Sequence, residues 1–214
     1  MKKTIIIAVV FMINATAFGQ AKFGVKVGGN MIRLSGLNMY GDSYGVFGRS
    51  SFSQGYHIGG YANHSFNDVL GVQVEAVFSM QGGTGTTGFN SSQQLQLLHY
   101  INIPLLIDIK PFERPFSFLI GPQFGFCVNR SFVNKEFYGN DLGYKNFDAA
   151  IALGSQYTFF NHLTVGLRYN IGLIPSQQFD YEYFYKPNNS ETFQKIASLR
   201  KTNNMIQLSL GWTF

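Results

Sequence analysis

Residues 163–173 read LTVGLRYNIGL. Leu163, Val165, Leu167, Tyr169, Ile171 and Leu173 share one parity, while Gly166, Arg168 and Gly172 fall on the other. Strict period two marks a β-strand with one apolar and one polar face. The sizes on the two faces decide what kind of strand it is. The apolar side chains are bulky, and the other face is mostly small and carries little charge. A soluble barrel turns its apolar face inward and wets the polar one. A face this small and uncharged makes a poor solvated exterior but fits the inside of a narrow barrel, with the large groups against lipid.

The same asymmetry recurs along the chain. Phe23, Val25, Val27 and Met31 alternate with Gly24, Lys26, Gly28 and Asn30. Leu70, Val72, Val74, Ala76, Phe78 and Met80 alternate with Gly71, Gln73, Glu75, Ser79 and Gln81. Phe116, Phe118, Ile120, Phe124 and Phe126 face away from Gly121 and Gly125. Period two predicts eight strands, near 22–34, 54–66, 69–81, 94–110, 115–129, 146–159, 162–174 and 204–214. Short turns (67–68, 111–114, 160–161) alternate with long loops at 35–53, 82–93, 130–145 and 175–203. That is an all-β, eight-stranded antiparallel up-and-down transmembrane β-barrel, with periplasmic turns short and outer loops long. Closure pairs the last strand with the first and leaves no free edge in lipid.

Composition agrees. Charged residues make up 13% and aromatic residues 16% of the 214 residues, against about a quarter charged in a soluble domain. Lys2 and Lys3, a run from Thr4 to Phe18 that is apolar except for Asn14, and small-x-small sites at 15–17 and 17–19 predict a secretory signal peptide over 1–19. Cleavage is expected after Ala17 or Gly19, leaving the barrel domain over 20–214 in the cell outer membrane. The formal net charge of +5 then falls to +3, with no basic cluster to track phosphates, so no nucleic acid is expected as a partner. Cys127 is the sole cysteine. It excludes an internal disulfide and a CxxC pair and reads as lumen filler.

The ordered segments "FGVKVGGN" at 23–30, "GYHIGGYANHSF" at 55–66, "LGVQVEAVFSMQGG" at 70–83, "YINIPLLIDI" at 100–109, "FSFLIGPQFGF" at 116–126, "LTVGLRYNIGL" at 163–173 and "IQLSLGWTF" at 206–214 together resemble a known group. It is the bacterial outer-membrane β-barrel domain family often labelled PorT-like, with OmpX- and OmpA-like barrel architecture. Asn102 departs from it, standing where an acidic residue is expected. The resemblance implies insertion by the outer-membrane assembly machinery, with the terminal aromatic read as an assembly signal. It implies no particular activity.

Candidate sites follow from the faces. Lys26, Gln73, Glu75, Gln123 and Arg168 are expected to form a polar network in the lumen. A charge there must be paired, either as a structural plug or as an ion path. Trp212 and Phe214 are expected at the periplasmic interface. Tyr40, Tyr44 and Phe47 in loop 35–53, and Tyr181, Tyr183 and Tyr185 in loop 175–203, carry apolar area with polar tips suited to recognition or rim packing. Through these loops the chain could meet a protein partner; its other partner is outer-membrane lipid.

The four histidines (His57, His64, His99 and His162) are scattered, and no metal, cofactor or catalytic set is expected. His99 lacks an assignable serine and acid. "GTGTTG" at 83–88 matches GxGxxG but opens no helix, so it reads as an outer loop. The expected role is a non-enzymatic structural or interaction platform, in adhesion, envelope stability or as accessory to a secretion or uptake complex. The rival readings are a small channel, a lipid-modifying enzyme, and a soluble lipid-binding barrel.

Overall fold

The computed structural model describes residues 21–37, 53–86, 93–111, 115–132, 145–185 and 192–214. The signal segment 1–19, and with it Tyr40, Tyr44 and Phe47, lie outside the described residues. The strands are β1 (Ala21–Leu37), β2 (Ser53–Ser65), β3 (Leu70–Thr86), β4 (Gln93–Ile109), β5 (Phe116–Phe132), β6 (Phe147–Phe159), β7 (Leu163–Gly172), β8 (Pro175–Tyr185) and β9 (Thr192–Thr213). From β1 to β7 each pairs antiparallel with the next, β9 pairs antiparallel with both β7 and β8, and β1 pairs with β9 from Gly24↔Thr213 to Leu37↔Arg200. The sheet is closed.

Nine strands make an eight-stranded barrel because β7 and β8 occupy one position in the wall. β7 pairs with β9 from Leu163↔Trp212 to Asn170↔Met205, and β8 continues from Pro175↔Thr202 to Tyr185↔Thr192. At the break, the Gly172 N–H donates to Asn204 Oδ1 at 3.0 Å. A second irregularity is the register shift of β4 against β5 between His99 and Tyr100. Pro104 has no N–H to give, and the β3–β4 ladder is interrupted beside it between Val74↔Leu105 and Val77↔Asn102 without a change of register.

The predicted loop over 175–203 is corrected: 175–185 and 192–203 are strand. β9 is 22 residues long, about twice the 9–11 that span a bilayer. Past Arg200 its partner among the described residues is β8 alone, so 179–185 and 192–199 form a two-stranded ribbon beyond the barrel wall. Loop 82–93 is shortened likewise. β3 runs to Thr86 and pairs with β4 down to Thr86↔Gln93, so 83–86 of the glycine-rich motif are strand.

The faces divide as the side-chain sizes require. Phe23, Val25, Val27, Leu105, Ile107, Phe118, Ile120, Leu167, Leu208 and Leu210 are exposed outward. Lys26, Asn30, Gln73, Glu75, Asp108, Arg168 and Asn170 are buried inward. The tight turn after β6 leaves residues 160–162 between the paired Phe159 and Leu163. Phe160 (50°) and Asn161 (64°) take positive φ, as the centre of a type I′ turn requires, and the His162 N–H donates to Phe159 O at 3.1 Å.

Candidate functional site: the polar lumen and the outer rim

The lumen is a stack of hydrogen-bonded tiers. At the short-turn end, Asn63 Nδ2 donates to Asp108 Oδ2 at 2.7 Å and to Gln73 Oε1 at 3.2 Å. Lys110 Nζ donates to Ser65 Oγ at 2.6 Å and lies 3.5 Å from Asp108 Oδ2. Tyr61 Oη and Thr213 Oγ1 are 2.6 Å apart. These groups line an open vestibule of about 100 Å³.

The middle tier is built on Glu75. Arg168 grips it with both guanidinium arms, Nη1 to Oε2 at 2.9 Å and Nη2 to Oε1 at 2.6 Å. Lys26 Nζ pairs with Oε2, and Gln73 Nε2 donates to Oε1 at 2.7 Å. Four donors therefore fill the carboxylate's roughly four acceptor sites. β1, β3 and β7 bring the three charges together across the barrel. Gln123 is buried on the same inner face but is not one of the groups bonded to Glu75.

Above this lies a neutral tier that the spacing of the histidines did not reveal. His57 is fully buried. Its Nδ1 lies 2.7 Å from Asn30 Oδ1, and its Nε2 lies 3.0 Å from Ser209 Oγ. Asn30 Oδ1 can only accept, so Nδ1 carries the proton and Nε2 accepts from Ser209. Gln207 Nε2 also donates to Asn30 Oδ1, at 3.1 Å, and Asn170 Nδ2 to Gln207 Oε1, at 2.9 Å. Ser209, His57 and Asn30 have the order of nucleophile, base and orienting group. The void Ser209 faces is about 30 Å³, room for about one water and not for an ester. Ser209→Ala is expected to cost about 1–2 kcal/mol by orphaning His57 Nε2, read as a lower urea midpoint. An unchanged midpoint would show that the bond contributes nothing.

The other histidines sit apart. His99 stacks on Phe78 with centroids 5.7 Å apart, and His64 meets the edge of Phe66 at 5.2 Å. His162 stacks on Trp212 at 5.4 Å, and its Nδ1 donates to Thr213 O at 2.9 Å. Among the described residues no three His, Cys, Asp or Glu side chains gather as metal ligands. Cys127 is half-buried against Leu98 and Tyr100.

Trp212 and Phe214 point outward at the short-turn end, and the Phe214 N–H closes onto Phe23 O at 2.8 Å. The backbones of Tyr181, Tyr183 and Tyr185 fall on β8, within the ribbon.

A closed barrel with a polar, side-chain-filled interior and a continuous apolar exterior is a transmembrane barrel of the bacterial outer-membrane class. The chain belongs to the outer membrane protein beta-barrel domain family, whose model matches residues 14–178. No curated protein sequence matches it. Among solved structures, the outer membrane protein OprG from Pseudomonas aeruginosa is similar at 12% identity, with 91% of this chain and 96% of that chain covered and a TM-score of 0.50. Neisserial surface protein A shows 11% identity, 91% and 99% coverage and a TM-score of 0.48. Ail of Yersinia pestis shows 13%, 91% and 99%, and 0.46. At such identity the likeness is one of fold. The protein is an outer-membrane β-barrel protein, and by the rule for bacterial barrels its short turns face the periplasm and the ribbon faces outward.

Proposed function

We propose that the protein is a plugged, non-enzymatic barrel that presents its outer rim, chiefly the β8–β9 ribbon, to a protein partner. Attachment to a secretion or uptake complex is the role this arrangement suits best. The observation that carries the reading is the ribbon. Strand runs on past Arg200 well after the bilayer is crossed, and such an extension costs backbone order for no gain in lipid. The Glu75 tier supports the rest, because three charged side chains and Gln73 occupy the lumen at mid-height. Trp212 and Phe214 serve as interface anchors and as the assembly signal. Residues 35–37, expected in a loop, are strand, and β1 ends at Leu37 beside Arg200 at the root of the ribbon; Tyr40, Tyr44 and Phe47 follow it in the sequence.

The test is capture from solubilised outer membranes with the intact chain and with a variant in which a short turn replaces 179–199. A specific co-purifying protein lost with the ribbon is the expected result. An identical set of proteins from both chains would sink the reading.

A small channel is the second reading. It is favoured by the vestibule, which leads from the periplasmic mouth towards the void beside Lys26 and Arg168. Planar bilayers separate the two. The plugged barrel gives no steady conductance, and Glu75→Gln leaves it closed; stepwise openings in the wild type would favour the channel.

A further inference from the structure

Three buried carboxylates face the described lumen, and two have a cation. Glu75 has Lys26 and Arg168; Asp108 has Lys110. Asp148, on β6 at the outer end, is only 8% exposed, and no Lys or Arg among the described residues is paired with it. Its carboxylate receives a long hydrogen bond on Oδ2 from Asn203 Nδ2 at 3.4 Å and a further contact from the Ala149 backbone N–H, while its Oδ1 has no partner. Asn203, 7% exposed, gives its amide N–H to Gln81 Oε1 at 2.5 Å and leaves its own Oδ1 unpartnered. Asn102 lies across Gly125 from Asp148. A Cβ at Gly125 would stand 2.8 Å from Asn102 Oδ1 and 3.4 Å from Asp148 Cβ.

A buried carboxylate oxygen with no donor is costly. Here the orphan acceptors of Asp148 and Asn203 occur together, in a part of the lumen that offers oxygen and amide groups but no thiolate or imidazole among its described contacts. Oxygen ligands around one carboxylate suit a hard cation that keeps several waters. One formal charge gives a weak site, of the roughly 10⁻⁴–10⁻³ M class found in extracellular modules.

We infer that the outer end of the lumen binds Ca²⁺ on Asp148 and Asn203, with water completing its shell. The ion supplies the counter-charge that this tier lacks, and it ties β6 to β9 where β7 gives way to β8.

The experiment uses the full chain, folded in detergent micelles. Tb³⁺ luminescence is excited through tyrosine, and Tyr100 Cδ1 lies 3.4 Å from where a Gly125 Cβ would be. Ca²⁺ is then titrated from about 0.01 to 10 mM, spanning that affinity class. The expected result is a saturable Tb³⁺ signal that Ca²⁺ displaces, weakened at least about tenfold in Asp148→Asn and unchanged in Asp68→Asn, whose carboxylate is exposed on the β2–β3 turn. Heat-modifiable gel mobility verifies that each variant is folded, and Asn203→Ala takes the place of Asp148→Asn if that chain does not fold. A wild type without a saturable signal, or a folded Asp148→Asn or Asn203→Ala that matches it, would overturn the site in favour of buried water.

Discussion

Glu75→Gln is expected to destabilise the barrel by about 3–5 kcal/mol, the cost of leaving buried charge uncompensated. The reason lies in the arithmetic of the tier. Two cations, Lys26 and Arg168, converge on one carboxylate that is 2% exposed. The amide keeps the shape but removes the only negative charge they share, so two desolvated cations remain side by side. Lys26→Met tests the same cluster from the other direction. It leaves the Arg168–Glu75 pair bidentate and neutral, and the lost charge-assisted bond is offset by one less buried cation, so about 1 kcal/mol is expected. Urea midpoints of the folded barrel, with the slope held constant, read both. The ordering is the test: if Lys26→Met costs as much as Glu75→Gln, charge balance is not what holds the tier, and shape alone would have to explain it.

The membrane-spanning wall was legible because lipid and lumen impose opposite demands on alternate residues. Leu167 and Arg168 are neighbours with opposite fates, one exposed outward and one buried, and only period two reconciles them. The ribbon was not read, though Phe179, Tyr181, Tyr183 and Tyr185 alternate with Asp180 and Glu182. Beyond the bilayer neither face of a strand must be greasy, and a span of 163–173 already satisfied the length argument. The Asn30–His57–Ser209 tier was hidden for another reason. His57 and Ser209 are 152 positions apart and meet because both pair with Gly28, one from each side. A Cβ on Gly28 would stand 2.6 Å from His57 Cε1, so the glycine makes room for the ring. Reading that contact from sequence requires the closing register, which composition and periodicity do not specify. The same applies to Asp148, whose missing counter-ion is visible only once every other lumen carboxylate has been matched to its partner.

Leu208→Arg is expected to cost about 2–4 kcal/mol, the price of a cation near the bilayer midplane on the lipid face of a barrel. Leu208 is 59% exposed and pairs with Gly29 on β1 and Leu167 on β7. The outward row on β9 runs Ile206, Leu208, Leu210, Trp212, Phe214, and it turns polar at Asn204, which pairs with Arg33. Leu208 thus sits four residues from the polar boundary and six from the aromatic end, close to the middle of the band. Phe214→Arg has the same chemistry at the interface, where an arginine can reach the headgroups, so about 0–1 kcal/mol is expected. The two variants part in a second way. Leu208→Arg should lower the midpoint of barrels already folded into lipid. Phe214→Arg should leave that midpoint near the wild type and instead reduce the amount of barrel inserted in cells, if Phe214 is part of what the assembly machinery reads. Equal midpoints for Leu208→Arg and the wild type would take this face out of the hydrocarbon. Full insertion of Phe214→Arg would leave this aromatic as an interface anchor and nothing more.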